Sequence, residues 1–331
     1  MTSLQQISLK RLKEFDIKPK RDLGQNFLID DNILQVILGQ LDCQAEDVVL
    51  EVGAGLGVLT QALVRKAAQV HAFEVDRSFE GPLVATLGGS IVNDLNRGGD
   101  LTPANISSAT SSAGVPLLVS ESNTTNSTVH ISEDEHSLNR RTTSVRIYFQ
   151  DILKANLESL DPPPTLCASN LPYSVAGPFL IEALQRLPGV RRYCVMVQKE
   201  VADRIAAAPG SKTYGTLSVW VQLYAKVSQV RPLSRSIFYP QPHVDSSLLL
   251  IDRKTDPDLP QVELGVLQTV IANAFAQRRK TLLNALSSGG VANKEQVATW
   301  LSGLDLPLDV RAERLSHEQF VRLAQLLAQS W

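Results

Sequence analysis

The 331-residue sequence lacks several features that would assign it to particular classes of protein. It has no run of about 18 apolar residues, and its N-terminus has no short apolar core of a secretory signal. We therefore expect a soluble cytoplasmic protein without a membrane partner, with an organellar location as the alternative. The three cysteines are widely spaced and form no C-x-x-C pair, so we predict neither a metal site nor a disulfide framework.

The chain also lacks an excess of positive charge. Its net charge of −2 speaks mildly against a nucleic-acid partner, because phosphate binding needs concentrated Lys and Arg. Each basic cluster alone is typical of a solvated face. The basic residues nevertheless cluster at three places, which are Lys10, Arg11, Lys13, Lys18, Lys20 and Arg21, then Arg191 and Arg192, and finally Arg278, Arg279 and Lys280.

The spacing of apolar residues predicts alternating strands and helices. "DVVLEV" (47–52) is a short apolar run, "VLTQALVRKA" (58–67) has helical spacing, and "QVHAFEVD" (69–76) is a second strand. A strand, a glycine turn, a helix and a strand are typical of a doubly wound α/β sheet. Later patterns predict strands at 145–149, 165–169, 193–198 and 247–252, and helices at about 176–186 and 214–225.

A segment at about 88–144 does not fit this pattern. Glu74 and Asp151 are 77 positions apart, whereas one α/β step needs roughly 25–30 residues. The surplus is rich in Ser, Thr, Asn and Gly, so we expect a mostly disordered insertion. It has six acids and three bases, which leaves the rest of the chain near +1 and weakens the charge argument against RNA.

The composition further predicts two domains. Residues 1–255 are expected to form the α/β domain, followed by the polar, proline-rich linker "RKTDPDLPQ" (253–261). Beyond the linker the apolar residues keep a helical period and strands are scarce. Residues 256–331 are therefore expected to form a small all-helical domain.

The glycine cluster in "LEVGAGLGVLT" (50–60) lies between a predicted strand and a predicted helix. Glycine lets the backbone turn tightly and approach a ligand closely. Gly53 and Gly55 fit the first two glycines of a dinucleotide fingerprint, but its third place is Val58. A nucleoside ligand without a pyrophosphate is therefore the better fit.

Two acids follow predicted strands at the same edge of the sheet. Glu74 lies 21 positions after Gly53, where a carboxylate accepts hydrogen bonds from both hydroxyls of a ribose. Asp151 lies just beyond the third strand, where it is placed to receive an adenine amino group. Taken alone, Glu74 is better explained as a surface acid at a strand end, and for Asp151 that explanation is as good as the adenine contact. The glycine loop favours the ribose contact for Glu74.

"SNLPYSV" (169–175) follows the fourth predicted strand at this edge. Asn170 supplies a side-chain acceptor, and Pro172 stiffens the loop. Tyr173 has a flat face on which a base stacks, an interaction worth about 1–3 kcal/mol. The alternative is a proline turn with a packing tyrosine.

Loops of this Asn-Pro-aromatic kind are typical of enzymes that methylate exocyclic amino groups of nucleic-acid bases. The chain resembles the ribosomal RNA adenine dimethyltransferase family, most of all its small-subunit members, over everything except 88–144. The motifs that carry the resemblance are "LGQNFLID" (23–30), "LEVGAGLG" (50–57), "FEVDR" (73–77), "SNLPYSV", "VMVQKEVADRIAAAPGSKTYGTLSV" (195–219), "FYPQPHVDSSLLLI" (238–251) and "FAQRRKTLLNAL" (275–286).

The resemblance implies a class I methyltransferase sheet that holds S-adenosylmethionine. In one departure from the family pattern, Gln150 stands where a glycine usually precedes the aspartate at Asp151. The residues implied to hold the cofactor are Asn26, Leu28, Gly53, Gly55, Glu74, Asp151 and Asn170.

The resemblance also implies methyl transfer to N6 of adenine in small-subunit rRNA, giving N6,N6-dimethyladenosine during ribosome biogenesis. The enzyme is expected to be a monomer acting on a pre-ribosomal particle. Asn170 Oδ1 and the Pro172 carbonyl would bind the amino group, and Tyr173 and Phe238 would hold the base after it leaves its stack. The implied contacts to the RNA backbone are Lys20, Arg21, Arg278, Arg279 and Lys280.

Three alternatives stay open at this point. A nicotinamide-dependent oxidoreductase explains the glycine loop but gives "SNLPYSV" no role. A noncatalytic ribosome-assembly or transcription factor on the same fold would be favoured by loss of Gly53, Glu74 or Asn170, and all three are present. A large-subunit rRNA adenine methylase of the macrolide-resistance type shares the chemistry, and "RRKTLLNAL" (278–286) favours the small subunit through resemblance.

Overall fold

The computed structural model describes residues 4–20, 23–87, 129–131, 143–255 and 263–330. They divide into a first unit, residues 1–170 with 237–241, and a second unit, residues 171–236 with 242–331. The domain boundary expected near residue 255 stays a prediction, because it adjoins 256–262, outside the described residues.

The described residues of the first unit form four helices and seven strands. The helices are Leu4–Glu14 (α1), Asp31–Leu41 (α2), Val58–Val64 (α3) and Glu80–Leu87 (α4), with 3-10 turns at Arg77–Phe79, Ile152–Lys154 and Leu157–Ser159. The strands are Phe27–Leu28 (β1), Val48–Val52 (β2), Gln69–Glu74 (β3), Val129–Ile131 (β4), Thr143–Phe149 (β5), Leu166–Asn170 (β6) and, from further along the chain, Phe238–Tyr239, which becomes β9 in chain order.

The main sheet of this unit has the strand order β4-β5-β3-β2-β6. Strands β2, β3, β5 and β6 are parallel, and every residue of β2 and β3 is buried. Such continuous burial is typical of parallel strands covered on both faces. The chain moves outward from β2 through β3 to β5 and then returns to β6 on the other side of β2. Ligands bind at the carboxyl ends of strands beside such a reversal of order.

The second unit begins directly after β6. Its elements before the C-terminal region are Ala176–Arg186 (α5), Arg192–Gln198 (β7), Lys199–Ile205 (α6), Thr216–Tyr224 (α7), Ala225–Leu233 (β8) and Ser246–Arg253 (β10), with a 3-10 turn at Arg235–Ile237 shared with the first unit. Strand β10 pairs antiparallel with both β7 and β8.

The C-terminal part of the second unit is helical, as the sequence predicts. Its helices are Leu264–Ala276 (α8), Leu282–Ser288 (α9), Lys294–Gly303 (α10) and His317–Ala328 (α11), with a 3-10 turn at Ala312–Arg314. Asn293 and Ser316 each form a capping box with the glutamine three residues later, at the starts of α10 and α11. These caps satisfy amides that a helix start leaves unpaired.

Most of the predicted insertion at about 88–144 lies outside the described residues. Within it, Val129–Ile131 forms β4, which pairs antiparallel with the start of β5. None of the helices in the described part of the chain has the length and apolarity needed to cross a bilayer. The same residues contain no group of three His, Cys, Asp or Glu side chains arranged to hold a metal ion.

Candidate active site

The glycine loop begins where β2 ends and leads into α3. Gly53, Gly55 and Gly57 have φ angles of 80°, 52° and 73°, which are left-handed values that favour glycine. The amides of Gly53 and Ala54 donate to the Phe73 carbonyl at 2.8 and 3.1 Å. The loop is thereby fixed to the carboxyl end of β3, the neighbouring strand.

The N-terminal segment covers this loop. A β-carbon on Gly55 would lie 3.1 Å from Cε1 of Phe27 in β1. The ring of Phe27 also packs edge-on against Phe79, with 5.4 Å between centroids. The segment that contains Asn26 and Leu28 therefore lies beside the glycine loop, as cofactor contacts from these residues require.

Glu74 ends β3 with a nearly buried carboxylate. Its Oε2 accepts from the Gly55 amide at 2.8 Å, and its Oε1 accepts from the amides of Val75 and Asp76, each at 2.9 Å. Burial raises the pKa of Glu74, and the three backbone hydrogen bonds offset part of this effect. Each carboxylate oxygen has two lone pairs, so Oε2 keeps one acceptor position for a ligand hydroxyl.

Val75 was not predicted as a site residue, although it directly follows Glu74. It is 53% exposed, which is unusual for a valine at the end of a buried strand. The signal in the sequence is an apolar residue between two acids in "FEVDR". Its exposed methyl groups suit contact with a planar apolar face such as an adenine ring.

Asp151 follows β5 and begins a 3-10 turn. Its Oδ1 accepts from the Leu153 amide at 3.1 Å, and within the described chain no group donates to Oδ2. The neighbouring Gln150 directs its amide to the Lys154 carbonyl at 3.3 Å. Asp151 therefore keeps a carboxylate oxygen for an amino group, with Gln150 turned to the backbone of the same turn.

Asn170 is the last residue of β6. Its Nδ2 donates to the Asn26 carbonyl at 2.8 Å. This bond fixes which way the amide points, and Oδ1 has no donor among the described residues. Because β2 and β6 are parallel neighbours, the Asn170 acceptor lies at the same sheet edge as the glycine loop.

The residues after Asn170 begin the second unit. The Leu171 amide donates to the Met196 carbonyl at 3.1 Å, while no described group donates to the Leu171 carbonyl. The Pro172 carbonyl, in contrast, accepts from the amides of Val175 and Ala176 at 3.0 and 3.2 Å. Both lone pairs of the Pro172 carbonyl are therefore already used at the start of α5.

The two aromatic residues expected to hold a base differ in exposure. Tyr173 is partly exposed, and its hydroxyl lies 3.4 Å from Ser246 Oγ. Phe238 is only 3% exposed and pairs with Leu28 between β9 and β1. Its neighbour Tyr239 is 43% exposed. The face of Tyr173 is thus more accessible than that of Phe238.

The residues expected to bind RNA differ in whether their charged groups already have a partner within the chain. Lys20 forms an ion pair with Asp76 at 2.9 Å, and Arg278 donates to the Lys212 carbonyl at 2.8 Å. Arg279 and Lys280 are exposed and have no ion-pair partner in the described part of the chain. Arg21 lies outside the described residues.

A family of known proteins matches most of this chain. The model of the family "Ribosomal RNA adenine dimethylase" matches residues 17–91 and 130–329. The unmatched stretch, 92–129, lies inside the predicted insertion. The chain is 34% identical over 327 residues to "Ribosomal RNA small subunit methyltransferase A" of Geobacillus kaustophilus (strain HTA426), covering 96% of this chain and 94% of the relative.

Further similarities extend over most of the chain. The protein of the same name from Streptomyces coelicolor is 34% identical over 309 residues, covering 93% of this chain and 91% of the relative. A dimethyladenosine transferase from Plasmodium falciparum has the same fold, with a TM-score of 0.65, 21% identity, and coverage of 92% of this chain and 98% of its own. These similarities confirm the α/β methyltransferase fold, and the chain belongs to the ribosomal RNA adenine dimethylase family.

Proposed function

We propose that this protein transfers methyl groups from S-adenosylmethionine to N6 of adenine in small-subunit rRNA, giving N6,N6-dimethyladenosine. The observation that carries the proposal is the orientation of Asn170. Its amide donates to the Asn26 carbonyl, so Oδ1 is presented as an acceptor at the sheet edge that also holds the glycine loop. An acceptor fixed in this way suits an exocyclic amino group.

The same edge has the groups that the cofactor needs. Gly53 and Gly55 allow close approach of the backbone, and Glu74 Oε2 keeps a lone pair for a ribose hydroxyl. Val75 offers an apolar surface, and Asp151 Oδ2 is free to accept from the adenine amino group of the cofactor. Asn26 and Leu28 contribute from β1. These groups fit a nucleoside. Val58, which stands where a dinucleotide-binding loop has its third glycine, already suggests such a ligand.

Two acceptors would bind the target amino group. Asn170 Oδ1 is the first. The sequence favours the Pro172 carbonyl as the second, but this carbonyl already accepts two amides, so we assign the role to the Leu171 carbonyl. The two acceptors belong to consecutive residues, so the chain itself limits how far they can move apart.

The chemistry follows from the weakness of the nucleophile. The N6 lone pair of adenine is delocalised into the ring. In the first methylation the amino group donates two hydrogen bonds, which draw N6 towards tetrahedral geometry and localise that lone pair; in the second, the monomethylated amine has one N–H left to donate. S-adenosylmethionine, when bound, supplies an electrophilic methyl group on a positively charged sulfur. Positioning of N6 supplies much of the rate. The methylated nitrogen is acidic and releases its proton to water, so no strong base is needed.

The target base must leave its stack before it can reach this edge. Tyr173 offers one stacking face, and its hydroxyl contact to Ser246 restrains the ring. Phe238 is only 3% exposed, so its role as the second face stays a prediction. The substrate is expected to be rRNA in a pre-ribosomal particle bound by a monomer, with Arg279 and Lys280 free to contact phosphates.

The proposal predicts that Asn170→Ala lowers the rate of methyl transfer to small-subunit rRNA by about 100-fold or more, because one acceptor for N6 is lost. Asn170→Asp keeps an acceptor and should retain part of the activity. The exposed Asn32 of α2 provides the matched control, and Asn32→Ala should leave the rate unchanged. Transfer by folded Asn170→Ala at the wild-type rate would contradict the assignment.

A further inference from the structure

The N-terminal segment that covers the glycine loop is bonded to a buried acid outside the methyl-transfer site. We call residues 23–30, "LGQNFLID", the covering segment. Asp76 directly follows the exposed Val75 and is itself only 7% exposed. Its carboxylate accepts hydrogen bonds from Gln25 Nε2 at 2.8 Å and from Lys20 Nζ at 2.9 Å. These bonds join the chain just beyond β3 to residues 51 and 56 positions earlier.

Lys20 and Gln25 are also bonded to each other. The Lys20 amide donates to Gln25 Oε1 at 2.7 Å, while Gln25 Nε2 donates to Asp76. A glutamine side chain has one acceptor oxygen and one donor nitrogen, so these two partners fix its orientation. We call Lys20, Gln25 and Asp76 the clasp. The clasp holds the covering segment one residue before Asn26.

Asp76 supports the covering segment a second time through the 3-10 turn that follows it. Its Oδ1 accepts from the Ser78 amide at 3.1 Å and so caps this turn. The ring of Phe79 in the turn packs edge-on against Phe27, with 5.4 Å between centroids. One carboxylate therefore holds the covering segment on both sides of Asn26.

The carboxylate of Asp76 is fully used by these neighbours. Lys20 Nζ lies 2.9 Å from both carboxylate oxygens, and each oxygen has one further donor, Ser78 for Oδ1 and Gln25 for Oδ2. Burial alone would raise the pKa of Asp76, but the hydrogen bonds from Lys20, Gln25 and Ser78 lower it to about 2. Asp76 is thus ionised and has no lone pair left for a ligand. Any effect on a bound cofactor must pass through the covering segment.

We propose that Asp76 is a positioning residue, which holds Asn26 and Leu28 where they contact S-adenosylmethionine. The proposal rests on the proposed function, in which these two residues belong to the cofactor site. Without the clasp, cofactor binding would also have to order the covering segment, and this cost would weaken the affinity. Lys20 then serves the clasp and not an RNA phosphate.

The first test measures the affinity for S-adenosylhomocysteine, the cofactor without its methyl group, by calorimetric titration in the absence of RNA. We expect Kd to rise about 10-fold or more in Asp76→Ala, because its charged hydrogen bonds are lost. Gln25→Ala, which leaves the 3-10 turn capped, should also raise Kd. Asp76→Asn keeps an uncharged acceptor and should raise it less. A wild-type Kd for both folded alanine variants would overturn the proposal.

Asp47 provides the matched control. It is 4% exposed, precedes β2 at the end opposite to the glycine loop, and accepts from the Gln44 amide and from Thr165 Oγ1. Asp47→Asn should therefore lower Tm and leave the Kd for S-adenosylhomocysteine unchanged. A rise in Kd as large as that of Asp76→Ala would show a general effect of stability and would overturn the proposal.

A double-mutant cycle tests whether the residues act as one unit. Gln25 and Asp76 share a hydrogen bond, so Gln25→Ala/Asp76→Ala should raise Kd little more than Asp76→Ala alone does. Effects that multiply would show that the two residues act independently and would overturn the clasp.

Hydrogen exchange of the cofactor-free protein reports on the covering segment itself. Peptides from residues 23–30 should exchange faster in Asp76→Ala than in wild type, while peptides from β2 keep the wild-type rate. Unchanged exchange of residues 23–30 would overturn the proposal.

Kinetics distinguish positioning from catalysis. Saturating cofactor orders the covering segment, so the KM for S-adenosylmethionine should rise in Asp76→Ala by a larger factor than kcat falls. A lower kcat with unchanged KM would overturn the positioning role. Failure of the proposed function is a separate result, in which wild type transfers no methyl group to adenine. Failure of the clasp leaves wild type active and the variants with wild-type affinity.

Discussion

Glu51 is a residue whose burial the sequence gives no reason to expect. It lies in β2, two positions before the glycine loop, and is 1% exposed. Its Oε2 and the nearby Thr60 Oγ1 have no hydrogen-bond partner in the described part of the chain. Burial raises the pKa of Glu51 to about 8, and the charge of Glu74 acts in the same direction. Glu51 is therefore mostly protonated at neutral pH.

This raised pKa predicts a pH-dependent effect of Glu51→Gln on stability. The pKa of Glu51 in the unfolded state is about 4.5. Below this pH the carboxyl is protonated in both the folded and the unfolded state, so it does not lower the free energy of unfolding. As the pH rises from there to about 8, the unfolded state ionises and the native state is progressively destabilised. Glu51→Gln removes this loss, so we expect its Tm to exceed that of wild type most at pH 8 and least at pH 5.

Thermal unfolding at several pH values checks this expectation, with the exposed Glu46→Gln as the matched control. Each kcal/mol gained should raise Tm by at most roughly 2–4 °C, the range for chains of about 150–250 residues. The control should change Tm by little. A Tm difference for Glu51→Gln that does not grow between pH 5 and pH 8 would contradict the assignment of a raised pKa.

At the scale of elements, the join between the glycine loop and α3 depends on Gly57. Its φ is +73°, and a β-carbon there would lie 3.0 Å from Leu83 Cδ2 and 3.2 Å from Thr86 Cγ2 in α4. Gly57→Ala should therefore destabilise the protein by about 2–4 kcal/mol, from left-handed strain together with crowding. Chemical denaturation measures this change.

Gly39 provides the control for that substitution. It lies inside α2, has no atom within 4 Å of a hypothetical β-carbon, and is not in the left-handed region. Gly39→Ala should stabilise the protein by about 0.5–1 kcal/mol, because alanine favours a helix. Equal effects of the two substitutions would show that Gly57 is not constrained as described.

Elements with strong apolar patterns could be predicted from the sequence. The buried strands β2, β3, β5, β6, β7 and β10 and the helix α5 lie where the apolar runs predict them. Strand β8 was not predicted, because it is an edge strand with exposed residues and contains Pro232. The two-residue strands β1 and β9 carry too short a pattern to predict. Helix α3 ends at Val64, earlier than its helical spacing suggests.

At the scale of the whole molecule, the sequence predicted at which strand ends the candidate site residues lie. Glu74, Asp151 and Asn170 each lie at or just beyond the carboxyl end of a strand in the parallel sheet. The sequence could not show which partners the basic side chains have in the folded chain. The ion pair of Lys20 with Asp76 joins residues 56 positions apart, and the acceptors of the Arg278 guanidinium are more than 60 positions away.

Mass spectrometry of nucleosides decides whether this chain dimethylates adenine in small-subunit rRNA. Undermethylated small ribosomal subunits are incubated with the protein and S-adenosylmethionine, and their nucleosides are analysed by mass spectrometry. Large subunits are treated in parallel. We predict N6,N6-dimethyladenosine in the small-subunit rRNA alone. Unmodified adenosine there, or dimethyladenosine only in the large-subunit rRNA, would contradict the claim.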